Sequence, residues 1–212
     1  MKEYTKIPAV FKRDIEGTKK LIDGEYISKE VAFLADTEWI CTEKIDGTNI
    51  GVVWDGHRVS YQGRTEKAQI PKHLLQKLDS IFGTPEAEEM FEQLFGDKEF
   101  ILFGEGYGAK IQKGECYIPD DCSFIMFDIF SIDSNLWLER ESVEQIAAAF
   151  GVDVVPVVFR RGTLKKAVDY VKSKPDSLVG NCKMEGLVCH PRVDLLDRQG
   201  HRIIVKIKAV DF

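Results

Sequence analysis

No apolar run in this chain approaches a bilayer span: stretches such as Val154-Val155-Pro156-Val157-Val158-Phe159 fall far short of the roughly 20 residues a membrane helix requires. Nor does Met1-Lys2-Glu3-Tyr4-Thr5-Lys6 lead into the apolar segment of a signal peptide. Cysteine is scarce and scattered: Cys41, Cys116, Cys122, Cys182 and Cys189 are odd in number and form no C-x-x-C pair. The expectation is therefore reduced thiols in a cytoplasmic protein, with neither a zinc site nor a disulfide framework. His57, His73, His190 and His201 show no metal-ligand spacing, and no hydrolytic triad can be assembled around them with any specificity. The glycines at 104, 106 and 108 invite a phosphate-loop reading, but G-x-G-x-x-G is absent and no helix start follows closely, which argues against a dinucleotide fold. Positive charge is also short, with 29 Lys and Arg against 35 Asp and Glu and a net charge of −6. That balance argues against tight, non-specific binding to nucleic acid, although one local basic groove stays open. Lys110 with Lys113, and Arg160-Arg161 with Lys165-Lys166, are candidates for it, but taken alone they read as solvated surface charge.

What is present is the composition of a globular protein, 44% hydrophobic and 30% charged, in a chain of 212 residues that can bury a real core. No repeat, low-complexity tract or Pro/Ser-rich linker divides it, so one domain over 1–212 is expected. Strand signals come in hairpin-like succession. Residues 39–44 lead to a turn at Asp46-Gly47, 48–54 alternate, Asp55-Gly56 turns again, and 57–61 return. Further strands are expected at 100–105, 124–131, 152–159, 186–190 and 202–208. Helices are expected at 71–82, with proline at its first position, and at 85–95, with Thr84 as N-cap. Two more are expected at 139–150, ending on Gly151, and at 164–172. The expected class is α+β, with mostly antiparallel sheets and flanking helices.

Chemistry concentrates in Glu43-Lys44-Ile45-Asp46-Gly47-Thr48-Asn49. A K-x-D-G pattern alone says little, because D-G is a common hairpin turn and a neighbouring lysine usually faces water. Its weight comes from the ordered set that follows. Gly63-Arg64-Thr65 is succeeded by Phe103-Gly104-Glu105-Gly106 and Phe127-Asp128-Ile129-Phe130, then by Glu185-Gly186-Leu187-Val188 and Val205-Lys206-Ile207-Lys208. In this order the six fragments resemble the signature motifs of the covalent nucleotidyltransferases, the superfamily of ATP- and NAD-dependent ligases and mRNA capping enzymes. Within it the chain is similar to the phage-type RNA ligases of the RNA ligase 2 group. The likeness runs from Glu43 to Lys208 and implies an ATP-grasp-like ligase adenylation fold.

The resemblance implies that Lys44 attacks the α-phosphorus of ATP to form a lysyl-AMP intermediate. A free lysine amine titrates near ~10.4, so its nucleophilic form is scarce at neutral pH and is favoured by neighbouring positive charge. Lys206 and Lys208 would supply such charge from a strand facing Lys44, their alternation placing both side chains on one face, and would hold the α-phosphate. The resemblance assigns Mg²⁺ or Mn²⁺ to Glu185, with Asp128 a weaker candidate. It gives Glu105 a ribose hydroxyl, and Asp46 and Arg64 places near ribose and phosphate. It also gives Phe127 the face of adenine, and Glu43 with the nearby main chain the exocyclic amine. On local grounds alone Phe127 belongs to a core strand.

The implied activity is ATP-dependent joining of RNA 5′-phosphate and 3′-hydroxyl ends, as in RNA repair. A ligase acting on DNA or another acceptor, or a nucleotide-binding subunit without turnover, are the alternatives. Larger members of the superfamily carry another domain after the last lysine motif, whereas here only Ala209-Val210-Asp211-Phe212 follow Lys208. A minimal catalytic core is therefore expected, with a partner domain or a homodimer helping to grip RNA.

Overall fold

The computed structural model describes residues 2–65 and 68–212. In chain order its elements are β1 (Phe11–Arg13), β2 (Leu21–Tyr26), α1 (Lys29–Leu34), β3 (Trp39–Lys44), β4 (Thr48–Trp54), β5 (Val59–Gly63), α2 (Lys72–Phe82) and α3 (Pro85–Phe95). They continue with β6 (Phe100–Gly108), β7 (Cys122–Ser131), β8 (Leu136–Trp137), α4 (Arg140–Ala149), β9 (Asp153–Val154), β10 (Val157–Gly162), α5 (Leu164–Lys172), β11 (Gly186–Pro191) and β12 (Val205–Lys208). The α+β expectation holds, and the sheets are antiparallel except for the pairing of β7 with β9.

The chain forms two compact units, Met1–Tyr4 with Asp46–Val155, and Thr5–Ile45 with Pro156–Phe212. The first is built on a sheet of order β5-β4-β6-β7-β8, with β9 added beside β7. One face of that sheet packs Ile50, Val52, Trp54, Leu102 and Met126 against Leu74, Leu78 and Phe82 of α2, Phe91 of α3, and Val143 and Ala147 of α4. Each helix thus buries an apolar stripe at helical spacing. The second unit holds the sheet β10-β3-β11-β12. Trp39, Cys41, Leu187, Cys189, Val205 and Ile207 point from one of its faces to Val31 of α1 and to Leu164, Ala167, Val168 and Val171 of α5.

Local signals in the sequence explain the helix ends. Thr84 caps α3, its hydroxyl accepting from the Ala87 amide at 3.2 Å, and Thr163 caps α5 in the same way through Lys166. Gly151 follows α4 in the left-handed region at φ 65°, as a terminating glycine should. The expected strand 152–159 is instead two. Proline at 156 has no amide to donate, and the chain divides there: β9 joins β7, while β10 pairs with β3. The all-reduced expectation for cysteine also needs correcting. Cys41, Cys122 and Cys189 are buried free thiols, but Cys182 is disulfide-bonded. An odd count without C-x-x-C constrains only nearby pairs, so it could not foresee this. Among the described residues no helix is long and apolar enough to cross a membrane.

Candidate active site

Strand register in the second unit decides which side chains meet. Gly186 of β11 stands opposite Lys44 of β3 on one side and Lys208 of β12 on the other. Two residues along, Val188 stands between Thr42 and Lys206. Core residues alternate with these positions, so Lys44, Lys206 and Lys208 share the face turned away from the core.

Across the row the Glu185 carboxylate joins the two outer lysines. Lys44 Nζ donates to Glu185 Oε2 at 2.6 Å, and Lys208 Nζ lies 2.7 Å from Oε1. The carboxylate is 13% exposed and the two lysine side chains 25% and 32%, so the group is sheltered yet open to a ligand. Such charge-assisted pairs are stronger than neutral ones and fix orientation. The central position has to be glycine, because a Cβ on Gly186 would sit 1.9 Å from the Ile207 carbonyl oxygen. Lys206 is half-buried and backbone-paired, its amide donating to Pro8 O at 2.9 Å.

Glu43 is placed differently from its expected role. It is 1% exposed and lies on the core side of β3. The Ser177 hydroxyl donates to its Oε1 at 2.5 Å and the Leu178 amide to its Oε2 at 2.8 Å. Burial pushes its carboxyl up, with the Ser177 hydroxyl and Leu178 amide pulling partly back. A carboxylate so enclosed is an anchor rather than a group held out to a base.

The remaining candidates belong to the first unit. Glu105 is half-buried on β6, opposite Asn49, and Arg64 is exposed just past β5. Asp46 is half-buried, its amide donating to the Tyr117 hydroxyl at 3.3 Å. Phe127 occupies a β-bulge: Phe103 pairs with Asp128 and Gly104 with Met126, which leaves Phe127 as the extra residue. Alternation puts Phe127 on the face away from α2, and the bulge brings Phe130 to the same face, where they join Ile101, Phe103, Tyr4 and Trp137. Asp128, the second metal candidate, is 8% exposed and accepts from the Tyr4 hydroxyl at 2.5 Å. Both metal candidates are thus already engaged within the chain, Asp128 by the Tyr4 hydroxyl and Glu185 by the two lysines. Among the described residues no group of three or more His, Cys, Asp or Glu side chains could hold a metal ion. One carboxylate with phosphate oxygens and water nonetheless matches the chemistry of Mg²⁺, which retains several waters.

Asn49 was quoted within the lysine motif without a role. Its Oδ1 is buried and has no hydrogen-bond partner among the described residues, an arrangement a ligand donor would relieve. The glycines of β6 serve packing: a Cβ on Gly104 would strike the Phe124 ring and one on Gly106 would strike Leu74. Of the basic clusters, Arg161 lies 3.9 Å from Glu38, Lys165 pairs with Asp169 at 2.6 Å, and Lys166 stands over the Phe159 ring. Lys110 and Lys113 are exposed, with Lys110 in the left-handed region at φ 61°.

The family model of RNA ligase matches residues 37–208. No curated protein sequence matches the chain. Solved structures of Naegleria gruberi RNA ligase share its fold. A variant with AMP and Mn superposes with a TM-score of 0.64 at 20% identity, covering 85% of this chain and 52% of that one. A variant with ATP and Mn gives 0.63 at 19% identity, covering 97% and 58%. The form with pyrophosphate gives 0.61 at 22% identity, covering 81% and 49%. The chain thus spans about half the length of the ligases it matches.

Proposed function

Since the chain belongs to the RNA ligase family, we propose that it is an ATP-dependent RNA ligase whose nucleophile is Lys44. The observation that carries this reading is the Glu185 carboxylate bridging Lys44 and Lys208 on the sheet face turned away from the core. Two lysines that alternation alone would leave in water are instead gathered around one carboxylate, beside a glycine whose missing Cβ lets β12 approach.

In the proposed reaction Lys44 Nζ attacks the α-phosphorus of ATP, a phosphoramidate N–P bond forms, and pyrophosphate leaves with the electrons of the broken P–O bond. The AMP then passes to an RNA 5′-phosphate, and a 3′-hydroxyl attacks that activated phosphate with AMP leaving. Lys206 and Lys208 hold the α-phosphate and offset the charge that develops on it. Glu185 would hold a divalent cation, proposed to be Mg²⁺ or Mn²⁺, which would offset part of the negative charge of the phosphates. Engagement of Glu185 in this way would also release the Lys44 amine from its 2.6 Å pairing.

For the first unit the proposed roles are Glu105 on a ribose hydroxyl, Asp46 and Arg64 near ribose and phosphate, and Phe127 against adenine. Support comes from Glu105 and Phe127 both leaving the face that packs on the helices. The two units are proposed to act as one adenylyltransferase domain on RNA 5′-phosphate and 3′-hydroxyl ends. A partner domain or second copy is the proposed source of additional RNA grip. Incubation with α-labelled ATP and a divalent cation, followed by a denaturing gel, tests the first step. A labelled chain is expected, and an unlabelled one would defeat the proposal.

A further inference from the structure

Glu43 is a buried carboxylate that the proposed chemistry does not use, and its partners form a single device. The chain between α5 and β11 folds into a small hairpin over 175–184. The Ser177 amide donates to Cys182 O at 2.8 Å, the Met184 amide donates to Pro175 O at 3.0 Å, and Asp176 bridges to Lys183. At its tip the Ser177 Oγ accepts from the amides of Val179 and Gly180, at 3.0 and 3.1 Å. The same hydroxyl donates to Glu43, so its one donor and two acceptor sites are all used. With the Leu178 amide on the other carboxylate oxygen, four donors at the tip converge on Glu43 directly or through Ser177.

Leu178 at the tip is 57% exposed and adds little packing of its own, while Cys182 on the returning strand of the hairpin is disulfide-bonded. The other end of the hairpin is fixed: Met184 is 2% exposed in the core, and the Glu185 carbonyl accepts from the Ala209 amide at 2.9 Å. Glu185, the carboxylate between Lys44 and Lys208, is therefore the first residue after the hairpin. Glu43, which immediately precedes Lys44, is its latch.

We propose that Glu43 is a positioning residue: by latching the 175–184 hairpin to β3 through Ser177 and Leu178, it sets Glu185 against Lys44 and Lys208. This rests on the ligase reading for its consequence, but the latch itself can be read without activity. Glu43→Gln keeps the shape and offers one acceptor where two are needed, and Ser177→Ala removes the hydroxyl from the opposite side. Hydrogen exchange of the Leu178, Val179 and Gly180 amides, measured on the ligand-free chain, is expected to quicken about tenfold in both variants, the factor a single ordinary hydrogen bond supplies. In labelling by ATP, both variants are expected to need severalfold more Mn²⁺ for half-maximal rate. Their preference for ATP over inosine triphosphate, which lacks the 6-amino group, should equal that of the wild type. Lost preference in Glu43→Gln with normal behaviour of Ser177→Ala would overturn the proposal and return Glu43 to base reading. Faster tip exchange with an unchanged Mn²⁺ response would equally overturn the positioning role. An unlabelled wild type with protected tip amides would bring down the ligase reading, and the positioning role with it, while leaving the latch standing.

Discussion

The two sheets solve the placement of polar side chains in different ways. In β3-β11-β12 the register is unbroken where β11 meets both neighbours, so alternation alone carries Lys44, Lys206 and Lys208 to one face. In β6-β7 it is broken at Phe127. Without the bulge, Asp128 would follow Phe124 and Met126 onto the face packed by α2 and α4, an unpaired carboxylate in the apolar core. With it, Ile129 takes that place and Asp128 meets the Tyr4 hydroxyl. Regular pairing gathers the lysines, and an irregularity keeps an aspartate out of the core.

The comparison can be broken most severely at Lys44. Lys44→Ala should abolish covalent labelling by ATP while the melting temperature stays close to that of the wild type, since the side chain is partly exposed. Lys44→Arg should be equally inactive, because a guanidinium does not give up its proton to become a nucleophile. Labelling that persists in either would place the nucleophile elsewhere. Next comes the contrast between the two carboxylates. Glu185→Ala should lose divalent-dependent labelling, whereas Asp128→Asn should keep the wild-type divalent requirement, because the proposed cation rests on Glu185, beside the proposed nucleophile. Lys208→Ala should slow labelling by about 10²–10³-fold, the scale of losing one stabilising donor. A metal titration of the three variants separates these outcomes.

Smaller effects sharpen the role of register. Gly186→Ala should cost about 1–3 kcal/mol of stability, as added atoms do in a packed site. Its Cβ meets the Ile207 carbonyl oxygen, so β11 and β12 must part. Thermal melting would reveal it, and an unchanged melting temperature would mean that the row tolerates a side chain at its centre. Phe127→Ala should weaken ATP binding by roughly 1–3 kcal/mol if the ring stacks on adenine. Because Phe127 also touches Tyr4, with ring centroids 5.1 Å apart, melting has to be followed alongside. Unchanged affinity in a folded variant would return Phe127 to packing alone.

Much of this was legible from residue pattern. Periodicity and caps located α3 and α5 closely, and the D-G turns marked the ends of β3 and β4. Alternation put Lys206 and Lys208 on one face, while their meeting with Lys44 was implied by the resemblance and is made by the pairing of β11 with both β3 and β12. What stayed hidden depends on distant partners. The polar hairpin of β1 and β2 carries a weak apolar pattern, its second strand reading Leu21-Ile22-Asp23-Gly24-Glu25-Tyr26. The bulge at Phe127 depends on the β6 partner, and Glu43's burial depends on a loop 134 residues away. A motif names the residue types that chemistry wants, but which face of a strand each occupies is settled by pairing.

Lys44 is central to the account as the nucleophile of the first step alone, and RNA supplied with AMP already on its 5′ end bypasses that step. The most direct measurement is one gel comparing wild type and Lys44→Ala on 5′-phosphate RNA with ATP and on pre-adenylylated RNA. The variant is expected to seal the pre-adenylylated strand while failing completely with ATP. If the wild-type protein joins the pre-adenylylated strand to no RNA 3′-hydroxyl, nicked or single-stranded, the account is contradicted.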